Sequence, residues 1–134
     1  MSAATKTSSL LLAGRILIAS LFVVFGYMKL ANAGATTGAF AQLGLPIPHL
    51  AVALALTIEL GCSLLLVVGW RTREAAWLLA AFTVSATLIA HRFWLADAAQ
   101  VFNETEHFYK NLSIVGGLLA LAVAGPGRYS VDRA

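Results

Sequence analysis

The residue that most demands an account is a glutamate. Glu59 stands inside an apolar run, ten residues after His49 and ten before Gly69. If that run is a membrane-crossing helix, the carboxyl lies about 15 Å from either end, near the midplane. A central charge in hydrocarbon costs at least ~2.5–3.5 kcal/mol on insertion scales. Such a group is protonated, paired with a cation, or at work as a proton carrier. The plainer reading is a structural carboxylate that ties helices together. The basic residues within reach lie on other apolar runs. Arg15, Phe22 and Lys29 recur every seven residues, within about 40° on one helical face. Thr83, Thr87 and His91 repeat at i+4 as a polar stripe, and Lys110-Asn111 open a further run. Lys29, His91 and Lys110 are therefore expected to converge above Glu59. Together they would donate hydrogen bonds to a carbonyl or an anion while the carboxylate holds a proton. The plainer alternatives are lysines snorkelling to the headgroups and a histidine serving as an interfacial cap rather than a relay.

The elements that would position these residues follow from composition. Of 134 residues, 60% are apolar and 11% are charged. Soluble domains run nearer 45–50% and about 25%, so a water-facing surface here would expose large apolar patches. Lipid is the simplest cover for them. Four runs are long enough, or nearly so, to span a bilayer as helices: residues 10–30, 49–69, 75–91 and 108–125. The intervening pieces read as loops. Residues 31–48 contain Gly34, Gly38, Gly44, Pro46 and Pro48. Trp70-Arg71-Thr72-Arg73 reads as a tight basic turn, residues 92–107 hold Asp97, Glu104 and Glu106, and Pro126-Gly127 ends the last run. The expected fold is all-α, one domain over residues 1–134, a membrane-embedded four-helix bundle. Lys6, Arg71, Arg73, Arg128 and Arg133 gather at one set of ends, with Arg15 about a turn inside. Lys29, Arg92 and Lys110 lie at the other, beside the three acids. The positive-inside bias places the first set, and both termini, in the cytoplasm.

Several classes are set aside. The net charge is +3, but the basic residues sit at run ends rather than in a patch, so nucleic acid is not an expected partner. Cys62 is the single cysteine, which excludes an intramolecular disulfide, a Cys-x-x-Cys pair and an iron–sulfur cluster held within the chain. His49, His91 and His107 are too scattered to signal haem or a metal. Arg15 interrupts the first run and Lys29 nearly ends it, so residues 1–33 are not read as a cleaved signal peptide. Asn103-Glu104-Thr105 and Asn111-Leu112-Ser113 fit the glycosylation pattern by chance. Ala51, Ala55, Glu59 and Ser63 form a small-residue ridge on the second run, and Gly116, Ala120 and Ala124 on the fourth. Both read as packing surfaces. Aromatic residues near the run ends (Tyr27, Trp70, Trp77, Phe93, Trp94, Phe108 and Tyr109) read as interfacial belts.

Order and spacing together resemble a known family. Gly14-Arg15, Gly26-Tyr27-Met28-Lys29, Gly44-Leu45-Pro46, Glu59, Gly69-Trp70-Arg71-Thr72-Arg73, His91, Phe108-Tyr109-Lys110-Asn111-Leu112 and Gly116-Gly117 are similar to the DoxX pattern across nearly the whole chain. The resemblance implies a four-helix protein of the bacterial inner membrane. Relatives include the DoxD-type subunits of thiosulfate:quinone oxidoreductase, and others are linked to oxidative stress and thiol redox metabolism. It also implies Arg15, Lys29, Glu59, His91, Lys110 and Asn111 as the positions that matter. The leading expectation is an oxidoreductase component acting on quinone. Glu59, His91 and Lys110 would be catalytic, and Arg15, Lys29 and Asn111 would hold the quinone or quinol. A soluble or periplasmic partner would supply electrons, since no flavin, haem, metal or iron–sulfur site is evident. Two alternatives stay open: a non-enzymatic membrane anchor or assembly partner for redox or stress-response enzymes, and a small transporter of hydrophobic anions, which four short helices would favour only as a homo-oligomer.

Overall fold

The computed structural model describes residues 2–132; Met1, Arg133 and Ala134 lie outside them, and with Arg133 one basic residue of the orientation argument. Five α-helices follow in order: α1 (Ala3–Ala31), α2 (Ala33–Gln42), α3 (Pro48–Val68), α4 (Thr72–Ala90) and α5 (Val101–Ala124), with a short 3-10 turn at Phe93–Leu95. No strand occurs among the described residues.

The helix ends follow local chemistry. Ser2 caps α1 by accepting from the Thr5 amide at 3.2 Å. Asn32 breaks α1 from α2, and its side chain donates to Met28 O at 2.9 Å. Pro48 stands in the first turn of α3, where its missing N–H costs nothing. Gly69 closes that helix at φ 71°, in the left-handed region that glycine tolerates. Gly125 closes α5 at φ 80°, and Pro126 prevents further helix.

Four helices, Ala3–Ala31, Pro48–Val68, Thr72–Leu95 (α4 with the 3-10 turn) and Val101–Ala124, are long and apolar enough to cross a membrane. Three of them are longer than the apolar runs because polar residues extend them, and α3 keeps the length of its run. Glu74 occupies the first turn of α4, and Glu104 that of α5. Thr72 and Arg73 thereby leave the expected basic turn. Two expected loops also contain helix. Residues 101–107 belong to α5, and α2 fills most of residues 31–48. In α2 the alanines at 33, 35, 39 and 41 outweigh Gly34 and Gly38.

The bundle is a closed ring. α1 packs on α3, α3 on α4, α4 on α5, and α5 back on α1. α2 rests against α3 and α1. The shared core is small: Ala19, Phe22, Cys62, Leu66, Leu79 and Leu118, with alanines from α4 and α5. Outward positions are apolar as well: Leu17 is 72% and Val123 77% exposed. A chain that turns leucine and valine outward along whole helices uses lipid as its solvent. The ridge of α3 turns inward, with Ala55, Glu59 and Ser63 buried. The ridge of α5 does not: Gly116, Ala120 and Ala124 are exposed.

Both chain ends lie at one end of the bundle. There the tail runs along the α3–α4 turn, with Val131 N donating to Val68 O at 3.2 Å and Asp132 N to Gly69 O at 3.0 Å.

Candidate functional site

Glu59 lies near the middle of α3 and only 4% of its side chain is exposed. Its partner is Lys29, two residues before the end of α1. The Lys29 ammonium donates to Oε1 at 2.6 Å and to Oε2 at 2.7 Å. Close approach of the helices makes this possible. Gly26, one turn before Lys29, faces α3 so tightly that an added Cβ would stand 2.7 Å from Leu60 Cδ2 and 3.6 Å from Glu59 Cβ. The lysine is 30% exposed, so the pair is sealed on the acid's side and open on the amine's. Two of the three ammonium protons are engaged, and the third is free to donate.

The other basic residues do not join this pair. His91 caps the end of α4, and its Nδ1 meets Glu104 Oε2 on α5 at 2.9 Å. Lys110 donates to Glu106 at 2.6 Å on its own helix, and both are exposed. Asn111 Nδ2 donates to Thr87 Oγ1 at 2.9 Å, and Thr87 in turn donates to Thr83 O at 2.6 Å. The Thr83–Thr87 stripe therefore faces α5, and Asn111 is its partner. Of Lys29, His91 and Lys110, expected together above Glu59, only Lys29 meets the carboxylate; the acids of the 92–107 segment hold the other two. Those acids are near because that segment is largely helix rather than loop.

Arg15 lies at the end that holds both termini. It is fully buried and donates to three backbone carbonyls: Pro126 O, Val67 O at 3.2 Å and Tyr129 O at 2.8 Å. It thus ties α1 to the end of α3 and to the tail. Arg73 does similar work by donating to Ala122 O at 2.6 Å and Val123 O at 2.7 Å, which satisfies the last carbonyls of α5. Sequence reasoning missed Arg73, which it assigned to a turn, and the pairing of Glu104 with His91. Among the described residues no group of His, Cys, Asp and Glu side chains could hold a metal ion.

Four long apolar helices packed in a ring, with a buried carboxylate on one of them, define a multi-pass helical membrane protein. The particular kind follows from comparison with known proteins: the DoxX family model matches residues 10–92, and the chain belongs to the DoxX family. That match includes Arg15, Lys29, Glu59 and His91 and stops before α5. Two similar proteins extend over it. The inner membrane protein YphA of Escherichia coli (strain K12) is 37% identical over 124 residues, 92% of this chain and 89% of that protein. The inner membrane protein YqjF of the same organism is 34% identical over 122 residues, 91% of this chain and 88% of that one. A Surfeit locus protein 4 homolog of Schizosaccharomyces pombe (strain 972) is 28% identical over 123 residues, which is 36% of its own length. No solved structure matches the chain. The protein is a multi-pass inner-membrane protein.

Proposed function

We propose that this protein is a membrane redox component that binds a quinone or quinol beside the Lys29–Glu59 pair, with both termini in the cytoplasm. One observation carries the reading: a carboxylate buried near the middle of α3 is held by a lysine whose third proton and outer flank are open. A ring oxygen suits that free donor. Lys29 orients the ring by donating to one oxygen. Glu59 holds or releases a proton beside it. The quinone supplies the redox chemistry, taking up two electrons and two protons to become quinol. The electrons come from a separate donor protein. Arg15, engaged by backbone carbonyls at the end with the termini, and Asn111, bound to Thr87, have no contact with the ring in this reading. His91 and Lys110, engaged by Glu104 and Glu106, have no contact with the ring.

A second reading is a non-enzymatic assembly partner. It draws on the same pair, because a salt bridge between α1 and α3 also serves as a helix fastener. One experiment separates the two. The protein is purified in mild detergent and quinone is extracted and counted per chain for wild type, Glu59→Gln, and the double variant Lys29→Met/Glu59→Gln. The redox reading expects near-stoichiometric quinone in wild type and its loss in both variants, even where the double variant unfolds no more readily than wild type. Wild-type quinone at the level of bulk lipid overturns quinone binding and leaves the assembly reading.

A further inference from the structure

A second group of ionisable side chains joins two helices at the end of the bundle away from the termini. His91 ends α4, and its Nδ1 lies 2.9 Å from Glu104 Oε2 in the first turn of α5. His107, one turn further along α5, stacks its ring on that of His91, with centroids 5.0 Å apart and planes inclined by 20°. The corner between the two helices is built on the same ground. Phe93 meets Phe108 edge-on at 5.2 Å, Trp94 meets Phe108 at 5.9 Å, and Asp97 accepts from the amides of Ala99 and Gln100. One turn below the histidines, on the same two helices, lies the Asn111–Thr87 hydrogen bond. The histidine pair thus stands over the polar seam between α4 and α5.

Charge decides what the pair does. One proton on the two rings is welcome, because it stands beside Glu104 and at the C-terminal end of α4, where the helix dipole favours a cation. A second proton sets two imidazolium rings face to face, and like charges at that distance repel. The surroundings offset the second charge only in part. Glu106 on α5 is shared between Lys110, which holds it at 2.6 Å, and His107, and Arg92 beside His91 adds a further positive charge. On α3, the other helix packed against α4, His49 is exposed in the first turn and Glu59 is held by Lys29.

We propose that His91, Glu104 and His107 form a proton-operated clasp that holds the α4–α5 corner over the Asn111–Thr87 seam and releases it when the stacked imidazoles take up a second proton. The released corner separates the rings and so binds one proton more than the closed corner. Acidification therefore favours release, within the pH 5 to 8 range where imidazoles change charge.

The test uses the whole chain in detergent or nanodiscs. Hydrogen exchange is followed at the amides of residues 93–100 at pH 8 and pH 5.5, each normalised to an unfolded peptide at the same pH. Wild type is expected to lose protection on the order of tenfold at the lower pH, from repulsion between two charges about 5 Å apart in a partly screened site. His107→Phe keeps a stacked ring but cannot accept the second proton, and its protection is expected not to change with pH. Equal pH dependence in the two proteins overturns the proposal, as does none in wild type. Should His107→Phe fail to fold, a nitrogen-15 titration of wild-type imidazoles decides alone. Two separated steps for His91 and His107, with His49 as the exposed reference, support the clasp. One shared step refutes it.

Discussion

Replacing Lys29 with methionine tests the ion pair directly, because the two partners are not equally buried. Met keeps the stem and removes the ammonium. Glu59, at 4% exposure, is left as an unpaired acid near the middle of α3. Removing one partner of a buried pair costs about 3–5 kcal/mol. Lys29 is 30% exposed, so water or headgroups already share its charge, which sets the expectation at the low end, about 3 kcal/mol. The reverse substitution, Glu59→Gln, costs less. The freed lysine lies two residues from the end of α1 and can swing toward the interface. About 1.5–2 kcal/mol is expected, the low end for a hydrogen bond to a charged group. The double variant leaves no charge behind and should cost about as much as Glu59→Gln alone, giving a coupling energy of about 3 kcal/mol. Reversible unfolding of the detergent-solubilised protein in a denaturing surfactant, followed by circular dichroism, measures all four corners of the cycle. Equal losses in the two single variants, or additive losses in the double, would refute the argument from unequal burial.

Three further substitutions read other parts of the structure. Gly26→Val should cost about 1–3 kcal/mol in the same assay, since its side chain meets Leu60 and forces α1 from α3; the Lys29–Glu59 coupling measured in that background should shrink. Arg15→Lys should cost about 2–3 kcal/mol, because a single ammonium cannot reproduce the fork that reaches Val67, Pro126 and Tyr129, and limited proteolysis should then cut the tail faster. Asn111→Leu should cost about 1 kcal/mol, the worth of its bond to Thr87. Adding Thr87→Val should cost little beyond that, and full additivity would show that the two side chains do not form one unit.

The all-helical fold was legible because its signal is long. Four stretches of leucine, valine and alanine with charge only at their ends admit few arrangements in lipid. Glu59 was legible for the same reason, being the one acid in the middle of an apolar run. Its partner was harder to choose. Lys29, His91 and Lys110 all stand near run ends on the same side, and sequence spacing does not say which neighbour α1 touches. What selects Lys29 is Gly26, whose missing side chain brings α1 against α3 at Glu59. The partners of His91 and Lys110 escaped notice because the acids at 104 and 106 were read as loop residues. Once α5 is extended to Val101, Glu104 and His107 fall three residues apart on one face, and Glu106 falls four before Lys110. The clasp of Arg15 on the tail was not legible, since its acceptors are backbone carbonyls, which every sequence carries alike.

The two ends of the bundle are held by different chemistry, and the difference bears on which end can move. At the end with the termini, the holding groups are guanidiniums. Arg15 grips three carbonyls, and Arg73 grips the last turn of α5. A guanidinium stays charged at every accessible pH, and a backbone carbonyl has no proton to lose. Those arginine contacts therefore do not loosen with pH; beside them Asp132 accepts from the Thr72 amide at 3.2 Å. At the other end the cross-helix polar contacts among the described residues involve groups that can change charge or rotate away: Lys29 with Glu59, His91 with Glu104, Asn111 with Thr87, and the Thr36 hydroxyl of α2 with Lys29 O. Short connections also reinforce the first end, where only Gly69, Trp70 and Arg71 separate α3 from α4. The far end carries the two longer ones, through α2 and through the 3-10 turn. Any rearrangement that admits a ligand between helices is thus expected to pivot about the arginine-bound end. A spin-label pair placed across α1 and α3 near Lys29 should accordingly show a broader distance distribution than a pair placed near Arg15. The opposite order would place the hinge at the wrong end.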